Sequence, residues 1–264
     1  MIELRDIRLD YRTEEGGTRT VLAGVNARLG ADRFVCLLGP SGCGKTSLLN
    51  LVAGFLKPTG GSVHFGGAPV EGPGPDRGVV FQDATLFPWL TVQGNVEFGL
   101  LRNGASRREA AERATSAIQT VGLRGHERVY PHALSGGMRQ RAAIARVLVL
   151  EPRALLMDEP FSALDANARE HLQDQLLHLW EGSRRAVLYV THSVEEAAYL
   201  ADRVLILGTP PKSIAHDVEI PLSRPRDRAS DELRNATREL RDMLDRLPCC
   251  IGPAGSVEPG EPPP

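Results

Sequence analysis

The chain has 264 residues, 42% of them hydrophobic and 24% charged, with a formal net charge of −2. That length suits one or two domains with a full core, and the near-neutral balance does not suggest a surface built for nucleic acid. No apolar run approaches the roughly 18 residues of a membrane-spanning helix, Met1–Asp6 carries no apolar signal core, and the four cysteines (Cys36, Cys43, Cys249, Cys250) fit neither a disulfide framework nor a zinc site. The expectation is therefore a chain of a reducing cytosol, soluble or attached to a membrane through a partner.

Ile2, Leu4, Ile7, Leu9 and Tyr11 alternate with polar residues, the pattern of a half-buried strand. Glu14-Glu15-Gly16-Gly17 is a turn, and Val21, Leu22, Val25, Ala27 and Leu29 suggest more strand. Phe34–Leu38 is a short apolar run, a buried strand, and Ser47–Ala53 beyond it reads as a helix. Val63-His64-Phe65, Gly66-Gly67 and Ala68-Pro69-Val70 form a short hairpin. These pieces predict a small antiparallel sheet beside the main core. Gly72–Pro75 is a loop, and Gly78–Phe81 a buried strand that ends at Gln82. From about Leu86 to Val149 the character is helical, with helices over Arg107–Val121 and Gly136–Leu150. Strands then return at Ala154–Met157, Ala186–Val190 and Val204–Leu207, separated by helices over Ala168–Glu181 and Val194–Ala201. Such alternation predicts an α/β fold whose mostly parallel sheet is covered on both faces. Leu233, Ala236, Leu240, Leu244 and Leu247 recur at helical spacing, as a helix that packs back on the domain. Residues 252–264, rich in Pro, Gly and acids, are expected to be disordered.

Between the Phe34–Leu38 strand and the helix after it lies Gly39-Pro40-Ser41-Gly42-Cys43-Gly44-Lys45-Thr46, a match to the phosphate-loop pattern G-x-x-x-x-G-K-[ST]. Glycines let backbone N–H groups turn toward one point, and the helix start adds its positive dipole end. Lys45 can reach the β- and γ-phosphates of a nucleotide, and the Thr46 hydroxyl can ligate Mg²⁺. The Ala154–Met157 strand ends in Asp158-Glu159; an acid there helps hold Mg²⁺ in phosphate-loop enzymes, and Glu159 is placed to accept a proton from an attacking water or to position it. A solvated acidic loop is the bland alternative. Leu134-Ser135-Gly136-Gly137-Met138-Arg139-Gln140-Arg141 opens a helix. Ser135 alone could be a helix cap, whereas a serine, bare N–H groups and a helix start together are also an anion site.

Gly39–Thr46, Gln82, Leu134–Gln140, Met157-Asp158-Glu159, Ser162-Ala163-Leu164-Asp165 and His192 occur in the order of the ATP-binding-cassette (ABC) ATPases, which the chain resembles from Met1 to about Asp227. The Leu-Ser-Gly-Gly signature is far more specific than a phosphate loop alone. The resemblance implies a phosphate-loop NTPase core with a small antiparallel β subdomain and an inserted helical subdomain at about 86–150. It implies an ATPase domain over 1–227, beyond which the leucine spacing gives a C-terminal helix over 228–251 and the composition a disordered tail over 252–264. It also implies ATP and Mg²⁺ as ligands and a head-to-tail homodimer on ATP binding. Nucleotide contacts would come from Gly39, Pro40, Ser41, Gly42, Cys43, Gly44, Lys45, Thr46 and Ser47, with Tyr11 stacked on adenine. Tyr11 as a core residue of its strand is the competing reading. Catalysis would use Glu159, His192, Gln82 and Lys45, and the metal would be held by Thr46, Gln82 and Asp158. Gln82 would also sense the transport partner. Ser135, Gly136 and Gly137 would contact the γ-phosphate bound to the other subunit, and Asp165 would link the two sites. His192 follows a strand at its carboxyl end, where ligands bind in α/β sheets.

Glu71–Gln82, Leu86–Val92 and Ile220–Arg228 further resemble the taurine, sulfonate and nitrate importer group. Met138 and Ser193 depart from the family, where Gln and Asp are usual. The implied partners are integral membrane permease subunits and, indirectly, a periplasmic or lipid-anchored substrate-binding protein, with no nucleic acid. The implied place is the cytoplasmic face of the bacterial inner membrane. The subunit of another ABC transporter, or a soluble cassette ATPase acting on nucleic acid or ribosomes, are the rival readings. The latter often carry two cassettes, coiled-coil or zinc insertions or basic arms, none of which this sequence shows.

Overall fold

The computed structural model describes residues 1–13, 16–162, 164–183, 185–209 and 214–247. Glu14-Glu15 of the predicted turn, Ala163, Cys249-Cys250 and the 252–264 tail lie outside the described residues.

A six-stranded sheet forms the centre. Its strands are β3 (Phe34–Leu38), β6 (Arg77–Val80), β7 (Ala154–Asp158), β8 (Ala186–Thr191), β9 (Arg203–Leu207) and β10 (Ile214–Glu219), in the order β10-β9-β3-β8-β7-β6. Only β10 runs antiparallel to its neighbour. Every residue of β3, β7 and β8 is buried, because period-2 alternation sends their side chains into two cores. Phe34, Cys36 and Leu38 enter one core with the longer helices, while Val35 and Leu37 enter the other with α1 (Lys45–Ala53).

That second core is closed by an antiparallel sheet of β1 (Ile2–Arg12), β2 (Thr18–Leu29), β4 (Gly60–Phe65) and β5 (Ala68–Pro69), in the order β2-β1-β4-β5. Its Ile2-Leu4-Ile7-Leu9 pattern has a step of three in the middle because the pairing shifts between Leu4 and Ile7, where Asp6 takes φ 48°. The bulge returns both apolar pairs to one face. Tyr11, at the strand end, is 41% exposed, so it is no core residue.

Helices α2 (Val92–Arg102), α3 (Arg107–Thr120) and α4 (Gly136–Leu148) pack on one another between β6 and β7 in the chain. α5 (Ala166–Ser183), α6 (Val194–Leu200) and α7 (Asp231–Asp245) cover the same sheet face. Leu233 and Leu240 of α7 are buried in this core, so the C-terminal helix packs back on the domain.

Three sequence expectations need correcting. Helical structure begins at Val92 instead of Leu86, because Asn95 holds the preceding chain as a loop: its side chain accepts from the Phe87 N–H (2.7 Å) and donates to the Phe87, Leu90 and Thr91 carbonyls. The strand after Gly78 is an edge strand in which only Val80 is buried, and Phe81 lies beyond it, exposed. β10 escaped the sequence reading because its half-exposed edge position imposes little hydrophobic pattern.

The Arg224–Arg228 segment ties α6 to the rest. Arg226 is buried and donates to the Ala198, Tyr199 and Ala201 carbonyls at the α6 C-terminus (2.7–2.9 Å), and burial lowers its pKa to about 10. Arg224 pairs with Asp202. Arg228 reaches Gln173 and Asp174 on α5 and covers the Tyr199 ring. Cations at a helix C-terminus satisfy its orphan carbonyls and complement its dipole.

Candidate functional site

β3, β6, β7 and β8 are parallel, so their carboxyl ends share one edge of the sheet, the edge where α/β folds place ligands. Gly39–Thr46 follows β3, Gln82 follows β6, Asp158-Glu159 ends β7 and His192 follows β8. Topology thus gathers residues spread over more than half of the chain.

The loop closes on itself. Gly44 has φ 98° at the start of α1, and a Cβ there would come within 2.9 Å of Leu22 Cδ2, so glycine is required both for conformation and for the approach of β2. Lys45 is buried, and its Nζ donates to the Gly39 carbonyl (2.8 Å) and the Pro40 carbonyl (3.0 Å), leaving one of three donors to a ligand. Thr46 Oγ1 donates to Asp158 Oδ1 at 3.2 Å. Burial pushes the Asp158 carboxyl above its usual range; the Thr46 bond opposes that, Glu159 adds to it and Lys45 opposes it. Among the described residues no three or more His, Cys, Asp or Glu side chains cluster to hold a metal. One carboxylate beside one hydroxyl fits Mg²⁺, which prefers hard oxygens and takes its remaining ligands from water and substrate phosphates.

Glu159 has φ 42°, an uncommon conformation for a non-glycine residue that costs about 1–3 kcal/mol and clusters at functional sites. Its N–H donates to the Val190 carbonyl (3.0 Å), and its own carbonyl accepts from the Ser162 N–H (3.2 Å) and hydroxyl (3.0 Å). So held, its Oε2 lies 3.1 Å from His192 Nδ1. Gln82 Nε2 reaches Ser162 Oγ at 3.5 Å, the limit of a hydrogen bond.

Two predicted sets stay outside this cluster. Tyr11 stands on the antiparallel sheet. Ser135, Gly136 and Gly137 open α4, with Ser135 Oγ capping the helix by accepting from the Met138 N–H (3.3 Å). The plain cap reading of Ser135 is therefore true of the isolated chain, while the serine and Gly136 remain exposed. Gly137 sits against Leu164, where a Cβ would meet Leu164 Cδ2 at 2.8 Å. Asp165 Oδ1 caps α5 through the Ala168 N–H (2.9 Å).

Sequence reasoning assigned no role to three buried polar side chains near the site. Gln140 donates from α4 to the Phe81 carbonyl (3.2 Å), tying the signature helix to the Gln82 loop, and Arg146 adds a bond from α4 to the Thr85 carbonyl (2.7 Å). Asn95 orders the same loop from α2. Glu196 lies under His192, and its sequence signal was present in Ser193-x-x-Glu196, the capping-box pattern.

A family model described as ABC transporter matches residues 22–162. An uncharacterised ABC transporter ATP-binding protein of Methanocaldococcus jannaschii is 49% identical over 244 residues, 92% of this chain and 91% of that protein. The taurine import ATP-binding protein TauB of Pseudomonas syringae pv. tomato is 45% identical over 224 residues, 85% of each. Among solved structures, the ATP-binding cassette MJ0796, a dimer in a post-hydrolysis state bound to ADP and Pi, superposes with a TM-score of 0.75 at 29% identity, covering 84% of this chain and 100% of that one. The chain belongs to the ABC transporter family, as an ABC ATPase domain.

Proposed function

We propose that this chain is the ATP-hydrolysing, energy-coupling subunit of an importer for small sulfur- or nitrogen-containing anions such as taurine, alkanesulfonates or nitrate. Two copies close on ATP, reopen on hydrolysis and drive separate integral permease subunits, which receive cargo from a periplasmic or lipid-anchored binding protein. The working place is the cytoplasmic face of the inner membrane, held peripherally; no helix among the described residues is long and apolar enough to cross a membrane. Residues 1–227 form the ATPase domain, 228–251 is a C-terminal segment that carries α7, and 252–264 is a tail.

The observation that supports the reaction best is the meeting of Thr46–Asp158 and Glu159–His192 at one sheet edge, at 3.2 and 3.1 Å. In this reading the loop N–H groups and Lys45 bind the phosphates, Thr46, Asp158 and Gln82 hold Mg²⁺, and Ser47 lies in the first turn behind them. Mg²⁺ supplies charge that offsets the β- and γ-phosphates. Glu159 takes the proton of the attacking water as its oxygen approaches the γ-phosphorus, and His192 contacts the γ-phosphate and orients Glu159. Tyr11 stacks on adenine. Ser135, Gly136 and Gly137 complete the site on the partner copy, and Asp165 communicates between the two. The similarity to the taurine import protein and the Glu71–Gln82, Leu86–Val92 and Ile220–Arg228 segments support the importer group.

The test is affinity purification of the tagged chain from its native membrane. A co-purifying permease and a binding protein that takes taurine, an alkanesulfonate or nitrate are expected. Ribosomes or nucleic acid in their place would refute the importer reading.

A further inference from the structure

Glu196 takes part in no step of that reaction, yet its surroundings all bear on one catalytic side chain. It lies in the first turn of α6 and is 7% exposed. Its Oε2 accepts from Thr191 Oγ1 (2.6 Å) and the Tyr189 hydroxyl (3.2 Å), and its Oε1 from Gln173 Nε2 (3.1 Å). Its own N–H donates to Ser193 Oγ (3.1 Å), and the Ser193 N–H donates to Thr191 Oγ1 (3.0 Å). Both residues that flank His192 are thus tied to Glu196, while the imidazole itself is exposed and free to meet a ligand. On its far side, Oε1 lies 3.9 Å from Arg169 Nε, and Arg169 donates through Nη2 to the Leu164 carbonyl (2.9 Å), beside Asp165. A buried carboxylate is costly unless donors surround it, and here the donors come from Tyr189 and Thr191 of β8 and from Gln173 of α5.

We propose that Glu196 is a positioning residue: it fixes the main chain on both sides of His192 and so sets the approach of the imidazole to Glu159, without touching nucleotide. The catalytic consequence rests on the function proposed above; the geometric one does not. If Glu196 only packs α6 onto the core, its loss lowers stability and leaves His192 where it is.

The first arm needs no nucleotide. The His192 Cε1–H resonance of the full chain, assigned by its disappearance in His192→Ala, is expected to move in Glu196→Gln, with those of His64 and His216 as distant controls. Thr191→Val, which deletes the 2.6 Å bond to Glu196 together with the acceptor of the Ser193 N–H, is expected to move it in the same way and serves if Glu196→Gln does not fold. An unmoved His192 resonance in either folded variant overturns the proposal. In the second arm, Glu196→Gln lowers kcat roughly 10- to 100-fold, as a small misplacement of a catalytic group does, with the KM for MgATP within about threefold. In a His192→Ala background the same change costs nothing further, since residues that act through one another are not additive. Equal losses in both backgrounds mean a structural role and overturn it. Glu159→Gln assayed in parallel separates the two readings: normal hydrolysis by that variant refutes the proposed reaction, while the resonance arm still decides on Glu196.

Discussion

At the scale of single residues the site is a set of compromises between binding and stability. Lys45 is the one cation in the phosphate loop, and it also bridges two loop carbonyls. Lys45→Ala therefore abolishes turnover and weakens nucleotide binding, as phosphate release and titration with a fluorescent ATP analogue will measure; near-normal phosphate release would refute the assignment. Asp158 shows the opposite balance. Its folded pKa is raised above the unfolded value, mainly by burial. The ionised form therefore costs stability once the pH exceeds the folded pKa, and that cost is absent when the pH lies below the unfolded value of about 4. Asp158→Asn keeps an acceptor for the Thr46 hydroxyl and removes the charge. The expected result is a higher apo melting temperature at neutral pH, a gain that fades as the pH falls through the raised folded pKa and is gone below about pH 4, together with loss of Mg²⁺-dependent hydrolysis. A destabilised variant at pH 7 would contradict this. Tyr11, exposed at its strand end, has little to contribute to the core. Tyr11→Ala is expected to weaken ATP binding by about 1–3 kcal/mol through loss of a base–aromatic stack, with the apo melting temperature unchanged.

At the scale of elements, the segment from Gln82 to Leu90 matters most. It has no regular structure, and four hydrogen bonds from Asn95 and further ones from Gln140 and Arg146 give it shape. Phe87 packs at a tilt against Trp89 and Phe98 there, and Trp89 is 70% exposed. Trp89 could fill the helical layer or wait for a partner, and its exposure removes the first reading. Trp89→Ala is expected to leave folding and the isolated subunit's ATPase activity intact, since exposed substitutions usually stay within about 0.5 kcal/mol, and to uncouple transport in the assembled complex. Asn95→Ala instead strands buried backbone groups, which costs about 1–3 kcal/mol, read as a fall in the urea midpoint. A stable Asn95→Ala variant would mean that the loop does not depend on that side chain.

At the scale of the whole molecule, the phosphate loop and the signature helix belong to different parts of one chain, and the shared-site reading requires a second copy. Glu159→Gln keeps the shape of the side chain and removes the base, an effect worth about 100- to 10,000-fold in rate. Lys45, Thr46 and Asp158 remain, so ATP still loads and the closed dimer accumulates. The variant is expected to elute as a dimer with MgATP and as a monomer with MgADP or without nucleotide, and adding Ser135→Arg abolishes that dimer by filling the helix start with bulk. A monomer that retains bound MgATP would count against the shared site.

The sequence alone determined what depends on local chemistry. Glycines and the Lys-Thr pair mark a phosphate loop because only certain residues allow that turn and that charge. The apolar runs of β3, β7 and β8 are legible because strands buried on both faces must be apolar throughout. The heptad-like leucines of α7 are legible because one helical face is buried. Tertiary structure decided what depends on neighbours distant in the chain. It placed Glu159 against His192 through the parallel pairing of β7 with β8, set β6 and β10 at sheet edges where pattern is weak, and exposed Trp89. It also put Asn95, Gln140, Glu196 and Arg226 inside, where polar residues stay only because carbonyls, N–H groups and hydroxyls from other elements meet them. Single-sequence pattern carries hydrophobic period and turn chemistry, but no local signal shows that a polar side chain will find its partners across the fold.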